Sequence, residues 1–325
     1  MRLRYDIVDV FTDRPFAGNQ LAVVHGAEDL STAQCLAIAR EFNFSETTFP
    51  AAPVNGNEYA TRIFTPAAEI PFAGHPTLGT AWVLREQGLL TATEATQVCG
   101  AGRIGLCLGD DLVELAATPR DLLGPLPEEA AVSLLRGIGL DGADLDGPVW
   151  VAGSGLTFVH LPVRADAVAR AVPTSRPIAQ HVAGVSGLAD LRDPLEGIYV
   201  HHLAEGAGEL AVRARMLDPT LAALEDPATG SAAAGLGMAL VASGRLPDGG
   251  VYTIAQGVEM GRPSRLRGHV RAEGGRAVEC RVGGAVQPVA SGEIRVPSPH
   301  SGLGTTSTGR SENSSTCRVT VPTNG

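Results

Sequence analysis

Hydrophobic and polar residues alternate with a period of two along much of this chain. Residues 5–11 (YDIVDVF) alternate and predict a strand. Residues 12–20 (TDRPFAGNQ) carry turn chemistry, and 21–24 resume a strand. Ser31 and Gln34 form a capping box that opens a helix running to about Phe42. Residues 43–49 (NFSETTF) predict a strand, with Phe44, Glu46 and Thr48 on one face. Strands are expected over 59–64, 96–108 and 111–116, then a linker over 119–127 and a short surface helix over 128–138. The strand pattern restarts over 149–162, and a short helix is expected within 161–172. Further strands are predicted over 197–202, 209–216, 251–254, 264–272, 277–282 and 293–296.

Two stretches depart from alternation. Residues 71–88 (PFAGHPTLGTAWVLREQG) put apolar side chains at Leu78, Ala81, Trp82, Val83 and Leu84, on most sides of a helix, which predicts burial in a core. Pro76 suits the first helical position, so His75 falls at the cap, and Gly88 reads as the stop. Residues 225–245 (EDPATGSAAAGLGMALVASGR) repeat this grammar, with no charged side chain from Gly230 to Ser243. Their lead-ins also match: Arg62-Ile63-Phe64-Thr65-Pro66 and Arg215-Met216-Leu217-Asp218-Pro219, each followed by a Glu and a Pro. This points to a diverged internal duplication, with chance likeness of Gly/Pro-rich loops as the alternative. A duplication would give two similar domains, expected over 1–118 and 119–297, with final strands that can cross back to the first. Two helix N-termini could then share one cleft. Their unpaired N–H groups and positive dipole ends would hold a carboxylate without a cationic side chain.

Composition narrows the possibilities. A chain of 325 residues fits about two domains. A net charge of −10 argues against nucleic acid and anionic membrane as partners. Cys35, Cys99, Cys107, Cys280 and Cys317 are scattered, with no C-x-x-C pair, which fits a reducing cytoplasm and neither a disulfide scaffold nor a zinc site. No signal peptide is apparent in residues 1–13, and the apolar run 232–242 is too short and glycine-rich to span a bilayer. Residues 298–325 are rich in Ser, Thr, Gly and Asn and predict a flexible tail.

Candidate chemistry is sparse. No phosphate-binding G-x-x-x-x-G-K-[ST] and no convincing G-x-G-x-x-G is present, and Gly153-Ser154-Gly155 reads as a turn. His201 and His202 point to opposite faces of a strand and make a poor metal site. Glu46 is either a solvated strand residue or, if buried in a cleft, an acid whose raised pKa suits it to carry protons. His75 is a helix cap or a neutral imidazole that orients substrate. Asp226 and Ser231 suit capping, substrate hydrogen bonding or, with His75, a serine-hydrolase triad.

At FNFSETTF, RIFTPAAEIPFAGHPTLGTA, EDPATGSAAAG and QGVEMGRPS the chain resembles the phenazine-biosynthesis PhzF-like isomerase family over roughly residues 1–297. The resemblance implies an α+β fold like that of diaminopimelate epimerase: two similar domains, each a β-sheet or barrel wrapped around a central helix, with the active site in the cleft between them. It implies a homodimeric isomerase, free of cofactor and metal, that moves a proton within a small unsaturated or cyclic acid bearing a carboxylate. Its namesake isomerises trans-2,3-dihydro-3-hydroxyanthranilate. The family's acid/base glutamate falls on Glu46, its cleft histidine on His75, and its second-domain aspartate and serine on Asp226 and Ser231. Gly74 and Gly230 fall where backbone amides meet the substrate carboxylate, with Thr229 beside them. Asn19 falls in a Gly-Asn-Pro turn near the site, but Gln20 replaces the proline here. Related racemases use two cysteines at the helix starts, and none lies there in this chain. A small-acid-binding protein on the same fold is a further reading. Loops 51–57 and 204–208 are expected to select the substrate.

Overall fold

A computed structural model describes residues 1–204, 209–221 and 223–298. Most of the tail and of the 204–208 loop expected from the sequence lies outside the described residues.

The chain runs through one arrangement twice. In the first half, β1 (Arg2–Val10) pairs antiparallel with β2 (Asn19–Val24), and β2 pairs parallel with β3 (Glu46–Pro50) across α1 (Thr32–Phe42). Then β3 pairs antiparallel with β4 (Glu58–Phe64), and β4 with β5 (Glu69–Ile70). Helix α2 (Gly74–Glu86) crosses over to β6 (Glu94–Cys99), which lies parallel to β4. Strands β7 (Gly102–Leu108) and β8 (Val113–Ala117) follow as antiparallel neighbours. Next come β9 (Asp121–Leu123) and α3 (Glu128–Gly137).

The second half repeats each step. Strands β10 (Trp150–Gly153) and β11 (Thr157–Pro162) are antiparallel, and β11 is parallel to β12 (Leu195–Ala204) across α4 (Ala165–Arg170). Strand β12 is antiparallel to β13 (Leu210–Leu217), and β13 to β14 (Glu225–Asp226). Helix α5 (Gly230–Ala242) crosses over to β15 (Gly249–Gln256), which is parallel to β13; β16 (Ser264–Glu273) and β17 (Arg276–Gly284) follow antiparallel. Parallel neighbours require such long crossovers, and a helix supplies each one. The halves then complete each other. Strand β9 pairs with β10, β18 (Val286–Arg295) returns to pair with β1, and β8 pairs with β17.

Helices α2 and α5 are the two cores. Nine residues of α2 are buried, and in α5 every residue from Ala232 to Val241 is buried. Each helix carries a glycine at its sixth position where it presses on the opening hairpin of its own half. A Cβ on Gly79 would lie 2.6 Å from Leu21 Cδ2, and one on Gly235 2.8 Å from the Ala152 carbonyl oxygen. The matched lead-ins also take matched structure. Arg62 forks onto Glu69 at 2.8 and 2.7 Å, and Arg215 onto Glu225 at 2.9 and 2.7 Å. Chance likeness of loops does not explain paired strands, helices, glycines and ion pairs in one order, so the internal repeat stands.

Several local expectations change. Helix α2 opens at Gly74 with extended Ala73 as its cap residue, so His75 is the second helical residue and does not cap. Pro76 sits third, which costs nothing because the N–H groups of the whole first turn lack helical partners. Strand β3 begins at Glu46, because Asn43 closes α1 in the left-handed conformation and Phe44 stacks on Phe42 with centroids 6.1 Å apart. The strand expected over 96–108 is a hairpin turning at Gly100-Ala101. The linker at 119–127 holds β9. Gly88 ends α2 with φ +70°, as the sequence predicts, and the Ser31–Gln34 capping box is formed in full.

Candidate active site

The two central helices point their N-termini at each other. A Cβ built on Gly74 would lie 3.9 Å from both Gly230 Cα and the Ser231 amide nitrogen. Neither helix start carries a side-chain cap, since Ala73 cannot supply one and Thr229 makes no cap hydrogen bond. Capping therefore does not account for Asp226 or Ser231. The first-turn amides of both helices are left to a ligand or to water, and two positive dipole ends meet at one point.

Acidic and imidazole groups surround this point. Strand β3 delivers Glu46, whose side chain is 15% exposed, and α2 delivers His75, 7% exposed. Glu46 Oε2 and His75 Nε2 lie 3.3 Å apart, yet the angles do not make a hydrogen bond and both atoms are buried without a partner. Burial pushes the Glu46 carboxyl up to about 8, and the nearby charge of Asp226 adds to the effect. Burial pushes the His75 imidazole down to about 3, against a hydrogen bond to the Gln20 backbone. Near neutrality, then, His75 is uncharged and Glu46 is mostly protonated, with an ionised minority.

Asp226 enters from β14 and is held on both oxygens. Asn19 Nδ2 donates to Oδ1 at 2.9 Å, and Thr229 Oγ1 donates to Oδ2 at 2.6 Å. Burial lifts this carboxyl to about 6, while the Thr229 and Asn19 hydrogen bonds hold it back. Asn19 also donates to the Ala228 carbonyl at 3.1 Å and accepts from Ser45 Oγ at 3.3 Å, so it ties the two halves together across the site. The Ser231 hydroxyl is half-buried, and among the described residues no base hydrogen-bonds to it, so the triad of Ser231, His75 and Asp226 is not assembled.

The structure thus brings Asn19, Glu46, Gly74, His75, Asp226, Thr229, Gly230 and Ser231 to one place. Sequence reading missed three groups beside or behind them. Gln256 and Tyr199 are buried behind Thr229, and Ser45 adjoins Asn19. It also missed Arg262, which ion-pairs with buried Asp9 and donates to the Gly18 carbonyl at 3.0 Å and the Ala17 carbonyl at 2.7 Å. This clamp from the second half shapes the turn before Asn19 without the proline that Gln20 replaces. Gln256 and Arg262 both stand in QGVEMGRPS, so the motif was visible though its use was not. His201 and His202 lie elsewhere and bind backbone carbonyls of Tyr199 and Val163. Among the described residues no cluster of three metal-ligating side chains occurs, and no helix is long and apolar enough to cross a membrane.

The sequence pattern of phenazine biosynthesis-like proteins matches residues 8–292. The chain is 36% identical over 275 residues to trans-2,3-dihydro-3-hydroxyanthranilate isomerase of Pseudomonas fluorescens, covering 83% of this chain and 90% of that protein. It superposes on a predicted epimerase of Pseudomonas aeruginosa with TM-score 0.73 at 30% identity, covering 90% of this chain and 99% of the other. A Bacillus anthracis phenazine biosynthesis protein of the PhzF family shares the fold, with TM-score 0.76 at 23% identity over 91% of this chain and all of the other. With this fold and these relatives, the chain belongs to the phenazine biosynthesis-like protein family and is a PhzF-like isomerase.

Proposed function

We propose that this isomerase shifts a proton between two carbons of a small unsaturated or cyclic amino or hydroxy acid, with Glu46 as the carrier. The observation that carries this reading is the meeting of two uncapped helix N-termini beside a desolvated carboxyl group. The substrate carboxylate rests on the amides of Gly74–His75 and Gly230–Ser231, where dipole and hydrogen bonds act together. The ionised form of Glu46, a minority below pH 8, takes a proton from carbon. The electron pair enters the conjugated system and is stabilised through the carboxylate held by the two helices. Glu46, now neutral, returns the proton at a second carbon, and the double bonds have moved. One carboxyl group does both transfers because both carbons lie within its reach on one face. His75, uncharged, and Asp226 hold the amine or hydroxyl substituents.

The first substrate to test is the one named for the Pseudomonas fluorescens relative, trans-2,3-dihydro-3-hydroxyanthranilate. Replacing Glu46 by Gln keeps the shape and removes the acid, so isomer turnover falls to background. Turnover near that of the native enzyme would remove Glu46 from the mechanism. The working form in this reading is a cytoplasmic homodimer, and light scattering at micromolar concentration should return twice the chain mass of 33.5 kDa. A monomer at that concentration would refute the dimer.

A further inference from the structure

We propose that Gln256 is a positioning residue that sets the direction of the Thr229 hydroxyl proton and so keeps a donor on the Asp226 carboxylate. The inference rests on the site reading above and concerns a residue behind it. Gln256 is the last residue of β15 and is fully buried. Its amide has four partners. Nε2 donates to the Asp226 carbonyl at 2.9 Å and to Thr229 Oγ1 at 3.1 Å. Oε1 accepts from Tyr199 Oη–H at 3.0 Å and from the Thr229 N–H at 3.4 Å.

Two of these partners are backbone groups whose roles cannot change. The Asp226 carbonyl only accepts and the Thr229 N–H only donates, so a flipped amide would set like against like at both. The amide therefore has one orientation. Thr229 Oγ1 receives a hydrogen from Nε2, and its own hydrogen is directed at Asp226 Oδ2, 2.6 Å away, a length typical of a charged acceptor. Tyr199 secures the far side of the amide. Without Gln256, the Thr229 hydroxyl is free to turn to other acceptors and Asp226 loses its shortest hydrogen bond.

The remaining groups around Asp226 do not replace that donor. Asp218 beyond β13 and Glu225 on β14 both add negative charge, with Glu225 forked by Arg215. Glu46 on β3 is a second acid whose proton affinity Asp226 itself raises, and Tyr199 on β12 holds its proton. His75 on α2 is uncharged. Among the described residues, Asn19 on β2 remains as the sole other side-chain donor to the carboxylate.

The test is a carboxyl-carbon NMR titration of Asp226 in the native enzyme and in Gln256→Met, with pH–rate profiles alongside. The proton affinity of Asp226 should rise about tenfold, the worth of one hydrogen bond to a charged group. The acid limb of the rate profile is set by Glu46 at about 8, and its second, lower inflection, which belongs to Asp226 at about 6, should move up by the same factor. Should Gln256→Met fail to fold, Gln256→Leu keeps similar bulk, offers neither donor nor charge and should shift Asp226 in the same direction. An unchanged Asp226 titration in a folded variant overturns the proposal. An Asp226 titration that moves while the lower inflection stays fixed upholds the positioning role and overturns the part given to Asp226 in the reaction.

Discussion

Replacing Glu46 by Gln should do two opposite things: abolish turnover and stabilise the fold at neutral pH. The carboxyl has a pKa of about 8 in the folded chain against 4.5 for an unperturbed glutamate. Below pH 4.5 it is protonated in both states and contributes nothing. Between 4.5 and 8 the unfolded chain releases this proton and the folded chain keeps it. The unfolded state then binds fewer protons, so stability falls as pH rises through that window and levels off above 8. At about 1.4 kcal/mol for each pH unit above 4.5, the penalty is about 3 kcal/mol at pH 7. The amide in Glu46→Gln cannot ionise, so the variant escapes the penalty. Buried His75 gives the opposite slope below pH 6.5, where its unfolded form takes up a proton, but that term is common to both proteins. Urea unfolding at pH 5 and at pH 8 separates the effects. The stability gap between variant and native should be small at pH 5 and grow by a few kcal/mol at pH 8. Isomer turnover should drop by about 100- to 10,000-fold, the range for loss of a general acid–base. A gap that does not widen with pH would show that Glu46 ionises freely, and the argument for its role as proton carrier would fall with it.

Two further perturbations test the frame around the site. In Gly74→Ala the new methyl meets only ordinary contacts, the nearest at 3.9 Å, so the melting temperature should stay within a few degrees. It fills the gap between the helix starts, and KM should rise at least about tenfold if the carboxylate binds there; an unchanged KM would place the carboxylate elsewhere. Arg62→Met and Arg215→Met remove equivalent forks at different depths. The Arg62 pair is about one-third exposed and should cost about 1 kcal/mol. The Arg215 pair is about 5% exposed, and its loss strands Glu225, costing about 3–5 kcal/mol by urea unfolding. Equal losses would show that burial does not set the difference.

Much of the scaffold was legible in the chain because its signals are local. The Ser31–Gln34 box, the stop at Gly88 and the uncharged run after Gly230 each lie within one element, and propensity and periodicity act over that distance. The repeated lead-ins gave the internal repeat, and with it the meeting of two helix starts. Boundaries were weaker where a turn lacked a strong marker. The alternation predicts one strand where the chain turns at Gly100-Ala101, and it carries the left-handed Asn43 into the strand that begins only at Glu46.

The amino-acid order by itself determined which segments must be buried, which helices must lie at the centre and which residues could do chemistry. Tertiary structure alone decided what those residues became. Glu46 reads as a solvated strand residue until the fold buries it beside His75 of α2 and sets the charge of Asp226 from the other half near it, both of which raise its proton affinity. Asn19 and Asp226 join across 207 residues, and β9 and β18 each pair with the opening strand of the half they do not follow in sequence. Gln256 reads as a polar strand end until Tyr199, Thr229 and Asp226 converge on it. Desolvation and hydrogen-bond direction arise from neighbours in space, so no window of sequence contains them.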